Sequence, residues 1–223
     1  MGTATTETIQ PSRPAMVSER IAASVAQHQK LAKLTVSQYH QMIKQGILKE
    51  GAPIELLHGV LVLKNRARLG GDPLSIYPPH STAVLLIGKL DRQLDAFGCH
   101  LRSQQPVSLY ESHEPEPDGA IVKGAIEDYG RRHPVPGEIY SVLEAADSSL
   151  DGDRTEKLEA YANAGIPQYI IVNLIDKQLE VYEGPVPAEN RYATKTILRP
   201  GQKFQLFVGP EARLEALVEK LLP

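Results

Sequence analysis

Two apolar runs joined by one helical segment constrain the fold of this chain more than any other feature. Residues 139–146 (IYSVLEAA) and 169–175 (YIIVNLI) have the composition of buried strands. Residues 153–165 (DRTEKLEAYANAG) have the spacing of a helix that begins at Asp153 and ends at Gly165. The order strand, helix, strand predicts a βαβ unit, and therefore a sheet at the centre of the fold.

The segments around this unit predict a mixed α/β or α+β domain in which helices flank one central sheet. A helix should begin at Thr35, whose hydroxyl can cap it, and end at Gly46. The other predicted elements are a hairpin over 54–64 that turns at His58–Gly59, a loop over 65–79, a helix over 81–97, strands over 101–110 and 119–122, a meander over 179–208, and an amphipathic helix over 211–222.

Length and composition bound the organisation of the chain. A length of 223 residues suits one globular domain, and polar residues 1–33 predict a flexible or partly helical tail before a domain at 34–223. The single cysteine, Cys99, excludes an intramolecular disulfide and a cysteine-cluster metal site. The sequence contains neither an apolar run of about 18 residues nor a signal-peptide pattern, which predicts a cytoplasmic protein with no membrane span.

Three acidic residues lie in or beside apolar strands, where a carboxylate is costly unless it is paired, hydrogen-bonded or bound to a cation. Glu144 has apolar neighbours on both sides, Glu55 lies between Ile54 and Leu56, and Asp118 follows a proline just before another apolar run. A solvent-facing position on a half-exposed strand is the alternative for Glu55 and Glu144. A Pro-Asp turn is the alternative for Asp118.

A lysine on the predicted helix could complete a site with these acids. Asp153, Lys157 and Tyr161 are spaced i, i+4, i+8 and share one helix face. A solvated salt-bridge face is the alternative, since it would have the same spacing. Two carboxylates with a nearby lysine meet the needs of metal-dependent phosphodiester cleavage, because the acids can hold Mg²⁺. The lysine can then stabilise charge on the phosphate or orient the water.

The segments that carry these residues resemble the Uma2 (Uma-two) family of restriction endonuclease-like proteins. Membership implies the restriction endonuclease-like fold of the PD-(D/E)xK superfamily, a central mixed sheet flanked by helices. It also implies an endodeoxyribonuclease that uses Mg²⁺, or Mn²⁺ in its place, to hydrolyse DNA. The resemblance covers roughly residues 34–185, and the similar segments are 34–48 (LTVSQYHQMIKQGIL), 54–62 (IELLHGVLV), 116–122 (EPDGAIV) and 143–174 (LEAADSSLDGDRTEKLEAYANAGIPQYIIVNL).

The resemblance also implies catalytic roles for individual residues. Asp118 matches the Asp of the superfamily motif and Glu144 its second acid, which makes both of them metal ligands. The usual lysine position, two residues after Glu144, holds Ala146, and Lys157 on the following helix matches the family's lysine instead. Glu55 matches an early family Glu, which would add a further carboxylate to the catalytic set.

His80 and Tyr161 are further candidates for contacts with the substrate. His80 matches a histidine that precedes the long helix, and both a phosphate contact and a structural role are open to it. Tyr161 could contact the substrate or pack beneath the site. Gln168 is an additional candidate on the next strand.

Several positions depart from the family pattern, which leaves other functions open. Members tend to carry Asp and Glu where this chain has His58 and Val60, and other departures are Ala145, Ile170 and Asn173. The alternative function is a catalytically silent nucleic-acid-binding or accessory protein that keeps the nuclease fold. A non-nuclease enzyme that uses the same carboxylates is a third option, which no particular residue set supports.

Charge is distributed unevenly along the chain. A net charge of −3 argues against a nucleic-acid binder coated in positive charge, but residues 1–110 carry +5 and residues 111–159 carry −8. The acidic segment contains Asp118 and Glu144, and a bound divalent cation would offset part of its charge. Phosphate contacts are expected in the basic half, at Lys64, Arg66, Arg68, Lys89 and Arg92.

Other metal and partner signals in the sequence are weak. The seven histidines show no HxH or HExxH spacing, which argues against a zinc enzyme. Cys99 has no evident base partner and is expected to be a buried, small apolar residue. By analogy with restriction endonucleases we expect a homodimer, to which the predicted helix at 211–222 could contribute.

Overall fold

The computed structural model describes residues 32–63 and 78–223, and residues 34–223 form one compact unit. The predicted tail lies almost entirely outside the described residues. Most of the predicted loop at 65–79 also lies outside them, as do Lys64, Arg66 and Arg68, which were expected to contact phosphate. In the part of the chain that is described, no helix has the length and apolar character needed to cross a membrane.

The described helices and strands follow the predicted order closely, with short 3₁₀ helices between several of them. In chain order they are α1 Val36–Lys44, β1 Ile54–Leu57, β2 Val60–Leu63, α2 Pro78–Gly88, β3 Cys99–Arg102, β4 Gly119–Lys123, β5 Ile139–Ala146, α3 Leu150–Gly152, a π-helical turn Asp153–Lys157, α4 Leu158–Asn163, β6 Gln168–Asn173, β7 Gln178–Val186, β8 Arg191–Leu198, β9 Lys203–Phe207 and β10 Arg213–Leu217.

Six strands form one mixed sheet in the order β3-β4-β5-β6-β7-β8. Strands β5 and β6 are parallel, from Ser141 opposite Gln168 to Ala146 opposite Asn173, and the other neighbours are antiparallel. The chain passes from β5 to β6 through α3, the π-helical turn and α4. The predicted βαβ unit and the central mixed sheet flanked by helices are therefore confirmed.

The two faces of this sheet are covered by different layers. Alternate residues of a strand point to opposite faces. Leu143 and Ile170 pack on one face in a cluster with residues of α2 and β9, whereas Val142 and Tyr169 pack on the other in a cluster with residues of α4. Glu144 alternates with Leu143 in β5, so its side chain points to the face that α4 covers.

A capping box fixes the start of α1. The Thr35 N–H donates to Gln38 Oε1 at 2.9 Å, and the Gln38 N–H donates to Thr35 Oγ1 at 3.2 Å. After the helix, Gly46 has a φ of +73°. Both ends of the helix thus agree with the prediction. The buried Tyr39 donates its hydroxyl to the Ile54 carbonyl at 3.0 Å, which ties α1 to β1.

A tight turn at His58 and Gly59 closes the β1–β2 hairpin, as predicted. Their φ angles are +51° and +77°, and a two-residue hairpin turn of type I′ requires positive values at both positions. The hairpin is bonded to the segment before β4, because the Gly59 N–H donates to the Ser112 carbonyl at 2.8 Å and the Glu114 N–H donates to the Leu56 carbonyl at 2.8 Å. These bonds hold β1 against the stretch of chain that leads to β4.

The prediction of a C-terminal helix over 211–222 is wrong, because Arg213–Leu217 form β10, which pairs antiparallel with β9. The segment has helical spacing, but its alternation also suits a strand: Leu214 and Ala216 pack against the core, whereas Glu215 accepts from Lys203 Nζ at 2.6 Å. Packing against β9 overrides the helix propensity of these residues. This segment therefore cannot contribute a helix to a homodimer.

Two other predicted elements are shorter than expected. The predicted helix over 81–97 is α-helical only to Gly88, and 3₁₀ helices continue to Phe97. The predicted strand over 101–110 ends at Arg102. Gln104 then adopts a φ of +51°, which turns the backbone out of the strand direction.

A buried carboxylate fixes the helical connection between β5 and β6 to the sheet. Glu180 on β7 is 0% exposed. Burial alone would raise the pKa of Glu180, but hydrogen bonds to its two oxygens lower that pKa well below the ordinary 4.5. Because one donor lies in the π-helical turn, the network also fixes that turn. The donors are the Arg154 guanidinium, Lys195 Nζ, Asn173 Nδ2 and Tyr182 Oη.

We expect Glu180→Gln to lower the free energy of unfolding by about 2 kcal/mol at pH 7, because two cations lose their charged partner. A depressed folded-state pKa contributes stability above the unfolded value, so the difference between variant and wild type should shrink as the pH falls below 4.5. Urea denaturation at both pH values measures this. Glu189→Gln, which removes the exposed partner of Arg191, is the matched control and should change stability by under about 0.5 kcal/mol. Equal effects of the two variants would contradict the role given to Glu180.

Candidate active site

Asp118, directly before β4, is held by hydrogen bonds from two neighbouring segments. Its Oδ2 accepts from the Ala145 N–H of β5 at 2.9 Å, and its Oδ1 accepts from Gln104 Nε2 at 3.2 Å. The turn at Gln104 that ends the strand early therefore supplies a hydrogen-bond donor to this carboxylate. The bond to Ala145 places Asp118 beside Glu144, the preceding residue of β5.

Glu144 lies in the middle of the sheet and is only 2% exposed. Its Oε1 accepts from Lys157 Nζ at 2.9 Å and from Tyr161 Oη at 2.9 Å. The solvent-facing alternative for this residue does not apply, since the helical layer covers it. Glu144 is thus paired with Lys157 of the helical connection that follows β5.

Lys157, the last residue of the π-helical turn, is where three carboxylates meet. Its Nζ lies 2.9 Å from Glu144 Oε1, 3.5 Å from Asp153 Oδ1 and 3.9 Å from Glu55 Oε1. These acids come from β5, from the π-helical turn itself and from β1. One ammonium group thus neutralises part of a larger negative charge.

Glu55 joins this group from the hairpin outside the main sheet. It is 4% exposed, so the solvent-facing alternative does not apply to it either. Its Oε2 accepts from the Glu116 N–H at 3.2 Å, while Oε1 faces Lys157. The hairpin therefore contributes a buried carboxylate to the group around Lys157.

Asp153 was not predicted as a site residue, and the structure places it among the carboxylates. It is 2% exposed, and its Oδ2 accepts from Ser149 Oγ at 2.6 Å. The spacing with Lys157 and Tyr161 was the signal that could have identified it. The solvated alternative for that helix face is wrong, because the face packs onto the sheet.

The electrostatics of the site favour a bound cation. Burial raises the pKa of Glu144 to about 8, although the Lys157 ammonium opposes this, and burial also raises the pKa of Asp153. Burial alone would lower the pKa of Lys157, but the carboxylates around it raise that pKa well above 10.5. A bound divalent cation would offset the cost of keeping these buried acids ionised. Oxygen-only ligands of this kind suit Mg²⁺ or Mn²⁺.

The two predicted substrate contacts have different surroundings. His80, at the start of α2, has a side chain 26% exposed, with its Nε2 3.6 Å from Asp118 Oδ2. Tyr161 is fully buried, and its ring packs on Tyr169 with centroids 5.0 Å apart. This burial favours the packing role for Tyr161, whereas His80 lies where it could meet a phosphate.

Gln168 lies outside this set of residues. Its Oε1 accepts from Ser141 Oγ at 2.8 Å and from the Phe207 N–H at 3.0 Å, and its Nε2 donates to the Gln205 carbonyl at 2.8 Å. It therefore attaches the β9–β10 hairpin to the main sheet.

Cys99 is buried in the core, as the sequence predicts for a small apolar residue.

Comparisons with known proteins identify the family and the fold. The sequence model of the Uma2 family, described as "Putative restriction endonuclease", matches residues 36–216. The structure is similar to a crystal structure of "a putative nuclease belonging to DUF820" from Anabaena variabilis ATCC 29413, with a TM-score of 0.62, 12% sequence identity, and coverage of 84% of this chain and 97% of that chain. A search of curated proteins gave no match. The structural similarity shows the fold, and the family match supports a nuclease.

The pKa of Glu144 predicts a pH-dependent stability in the absence of metal. Because the folded-state pKa of about 8 exceeds the ordinary 4.5, stability should fall as the pH rises between these values, by about 1 kcal/mol per pH unit. Urea denaturation in EDTA at several pH values measures the slope. Glu144→Gln should flatten it, and Glu159→Gln, an exposed residue of α4, should leave it unchanged. A wild type with no such slope would show that Glu144 is already ionised.

Proposed function

The chain belongs to the Uma2 family, whose members are described as putative restriction endonucleases, and we propose that it is a divalent-metal-dependent endonuclease that hydrolyses phosphodiester bonds of DNA. One observation carries the proposal: Asp118, directly before β4, is hydrogen-bonded to the residue after Glu144 in β5, and the ammonium of Lys157 lies 2.9 Å from Glu144. Such a charged group is not explained by a role in stabilising the core, because buried ion pairs contribute little net stability.

Asp118 and Glu144 are the proposed ligands of Mg²⁺ or Mn²⁺. Both are buried, and both offer carboxylate oxygens, the ligands that these ions prefer. When bound, such an ion would polarise the scissile phosphate and lower the pKa of a water molecule. Glu55 and Asp153 also face the ammonium of Lys157, at 3.9 Å and 3.5 Å, and help to hold it in place.

Lys157 acts in this proposal as a cation and hydrogen-bond donor rather than as a base. Burial alone would lower its pKa, but the surrounding carboxylates raise it well above 10.5, so the amine keeps its proton. An ammonium has three N–H donors. Lys157 can therefore keep its bond to Glu144 and direct another donor at a phosphate oxygen or at the attacking water.

His80 is the proposed phosphate contact. Its Nε2 lies 3.6 Å from Asp118 Oδ2, and its side chain is partly exposed at the start of α2. A protonated imidazole there would add positive charge beside the proposed ligands. The active form is proposed to be a homodimer, because one such site hydrolyses one strand and a duplex has two.

We expect the purified protein to cut plasmid DNA with Mg²⁺ or Mn²⁺, and EDTA to abolish the reaction. Asp118→Asn, Glu144→Gln and Lys157→Met should each lower the cleavage rate at least about 100-fold. The first two remove a proposed metal ligand, and the third removes the positive charge that would stabilise the phosphate. Circular dichroism checks that the variants are folded. Lys220→Met, an exposed residue, is the matched control for Lys157→Met and should cut at the wild-type rate.

Two results would contradict the proposal. Wild-type protein that cuts neither DNA nor RNA with either ion would refute the nuclease activity, and folded variants that cut at the wild-type rate would refute the residues. A protein that binds DNA and Mn²⁺ but cuts nothing would support the catalytically silent alternative, which rests on the departures from the family pattern at positions such as His58 and Val60.

A further inference from the structure

A second group of potential metal ligands lies among residues that the proposed nuclease site does not use. His40 comes from α1, Glu114 from the segment before β4, and His133 from the loop before β5. One ligand atom from each lies within 4.8 Å of those from the other two. His40 Nε2 is 2.5 Å from Glu114 Oε1, and the rings of the two histidines meet edge to face with centroids 6.2 Å apart.

We propose that His40, Glu114 and His133 form a zinc site. Two imidazoles and one carboxylate are a common set of three protein ligands for Zn²⁺, with a fourth position left for water or another small ligand. The donor set differs from that of the nuclease site, where carboxylate oxygens predominate. The two sites should therefore select different ions, Zn²⁺ here and Mg²⁺ or Mn²⁺ there.

The carboxylate of this zinc site is held by neighbouring residues. Glu114 is 3% exposed, and its Oε2 accepts from Ser108 Oγ at 2.8 Å, which leaves Oε1 directed at His40. Ser108 also donates its N–H to the Pro134 carbonyl at 2.9 Å, beside His133. Ser108 thus joins the Glu114 and His133 segments, as a residue that orients metal ligands would do.

An unpartnered nitrogen points to a missing ligand. His133 Nδ1 is shielded from solvent and has no hydrogen-bond partner among the described residues. Buried polar atoms without a partner are rare in folded proteins, and a bound ion would satisfy this one. A hydrogen bond between His40 and Glu114 alone would account for that pair of residues, but it would leave the His133 nitrogen without a partner.

An open cleft gives an ion access to the zinc site. The three ligands line a cleft of about 360 Å³ together with residues of α1 and of the loop that follows it. The His40 side chain is 48% exposed, so that ligand lies at the entrance, while Glu114 lies at the buried end. The fourth coordination position would face this cleft.

A zinc ion here would join three parts of the chain that carry the neighbouring nuclease site. It would tie α1 to the segment that contains both Glu114 and Asp118, and to the loop before β5. The same segment holds Glu55 through the Glu116 N–H. Zinc would therefore stabilise the position of the carboxylates without contributing to cleavage. The inference does not depend on nuclease activity.

The test is Zn²⁺ binding by untagged, full-length protein, measured by competition with a chromophoric chelator. The parent protein should carry Asp118→Asn and Glu144→Gln, so that the nuclease site cannot supply carboxylates. We expect one Zn²⁺ per chain, and at least about 100-fold weaker binding for His40→Ala or His133→Ala. Ser108→Ala should weaken binding about 10-fold, because it removes only the orienting hydrogen bond. His80→Ala is the matched histidine control and should bind like the parent.

A second readout keeps the test independent of folding defects. Zn²⁺ should raise the Tm of the parent and of His80→Ala, but not that of His40→Ala, provided that circular dichroism shows each variant to be folded. Excess Mg²⁺ should not displace the zinc. Failure of the parent to bind Zn²⁺ at micromolar concentration would overturn the proposal, as would unchanged affinity in both His40→Ala and His133→Ala.

Discussion

The buried ion pair of Lys157 and Glu144 is the interaction on which the rest of the site depends. Two further carboxylates face the same ammonium, and without it their charges would repel one another in a region shielded from water. Burial of such a group costs free energy that the pairing only partly offsets. The fold keeps a partly neutralised acidic centre in its core, and that centre is suited to a divalent cation.

Three members of this centre are positioned by bonds that do not involve the others. Asp118 is fixed by the Ala145 N–H, Glu55 by the Glu116 N–H, and Lys157 by the anchoring of its helical turn through Glu180. Independent supports of this kind hold charged groups together in spite of their repulsion. They are the condition for a preorganised site, in which little rearrangement is needed when substrate binds.

The sequence predicted those features that have a local pattern. The βαβ unit follows from two apolar runs around a helix, and the proposal of Asp118, Glu144 and Lys157 as site residues follows from acids and a lysine at the positions that the family resemblance marks. The role of Asp153 depends on burial, which helical spacing alone does not give. The strand at β10 depends on its pairing with β9, because its residues suit a helix equally well. His40 and Glu114 are 74 residues apart, so no motif could join them.

The π-helical turn sets a constraint on how this chain can vary in length. Arg154, near the start of the turn, is bonded to Glu180, and Tyr161, beyond the end of the turn, donates to Glu144 on the sheet. A π-helical turn contains one residue more than an α-helical turn needs. Loss of that residue would rotate one flank by about 100° relative to the other, so only one of the two anchors could remain in register. Insertions and deletions should therefore be tolerated in the surface loops but excluded here. In an alignment of relatives, the spacing from Arg154 to Tyr161 should remain constant where the loops change length.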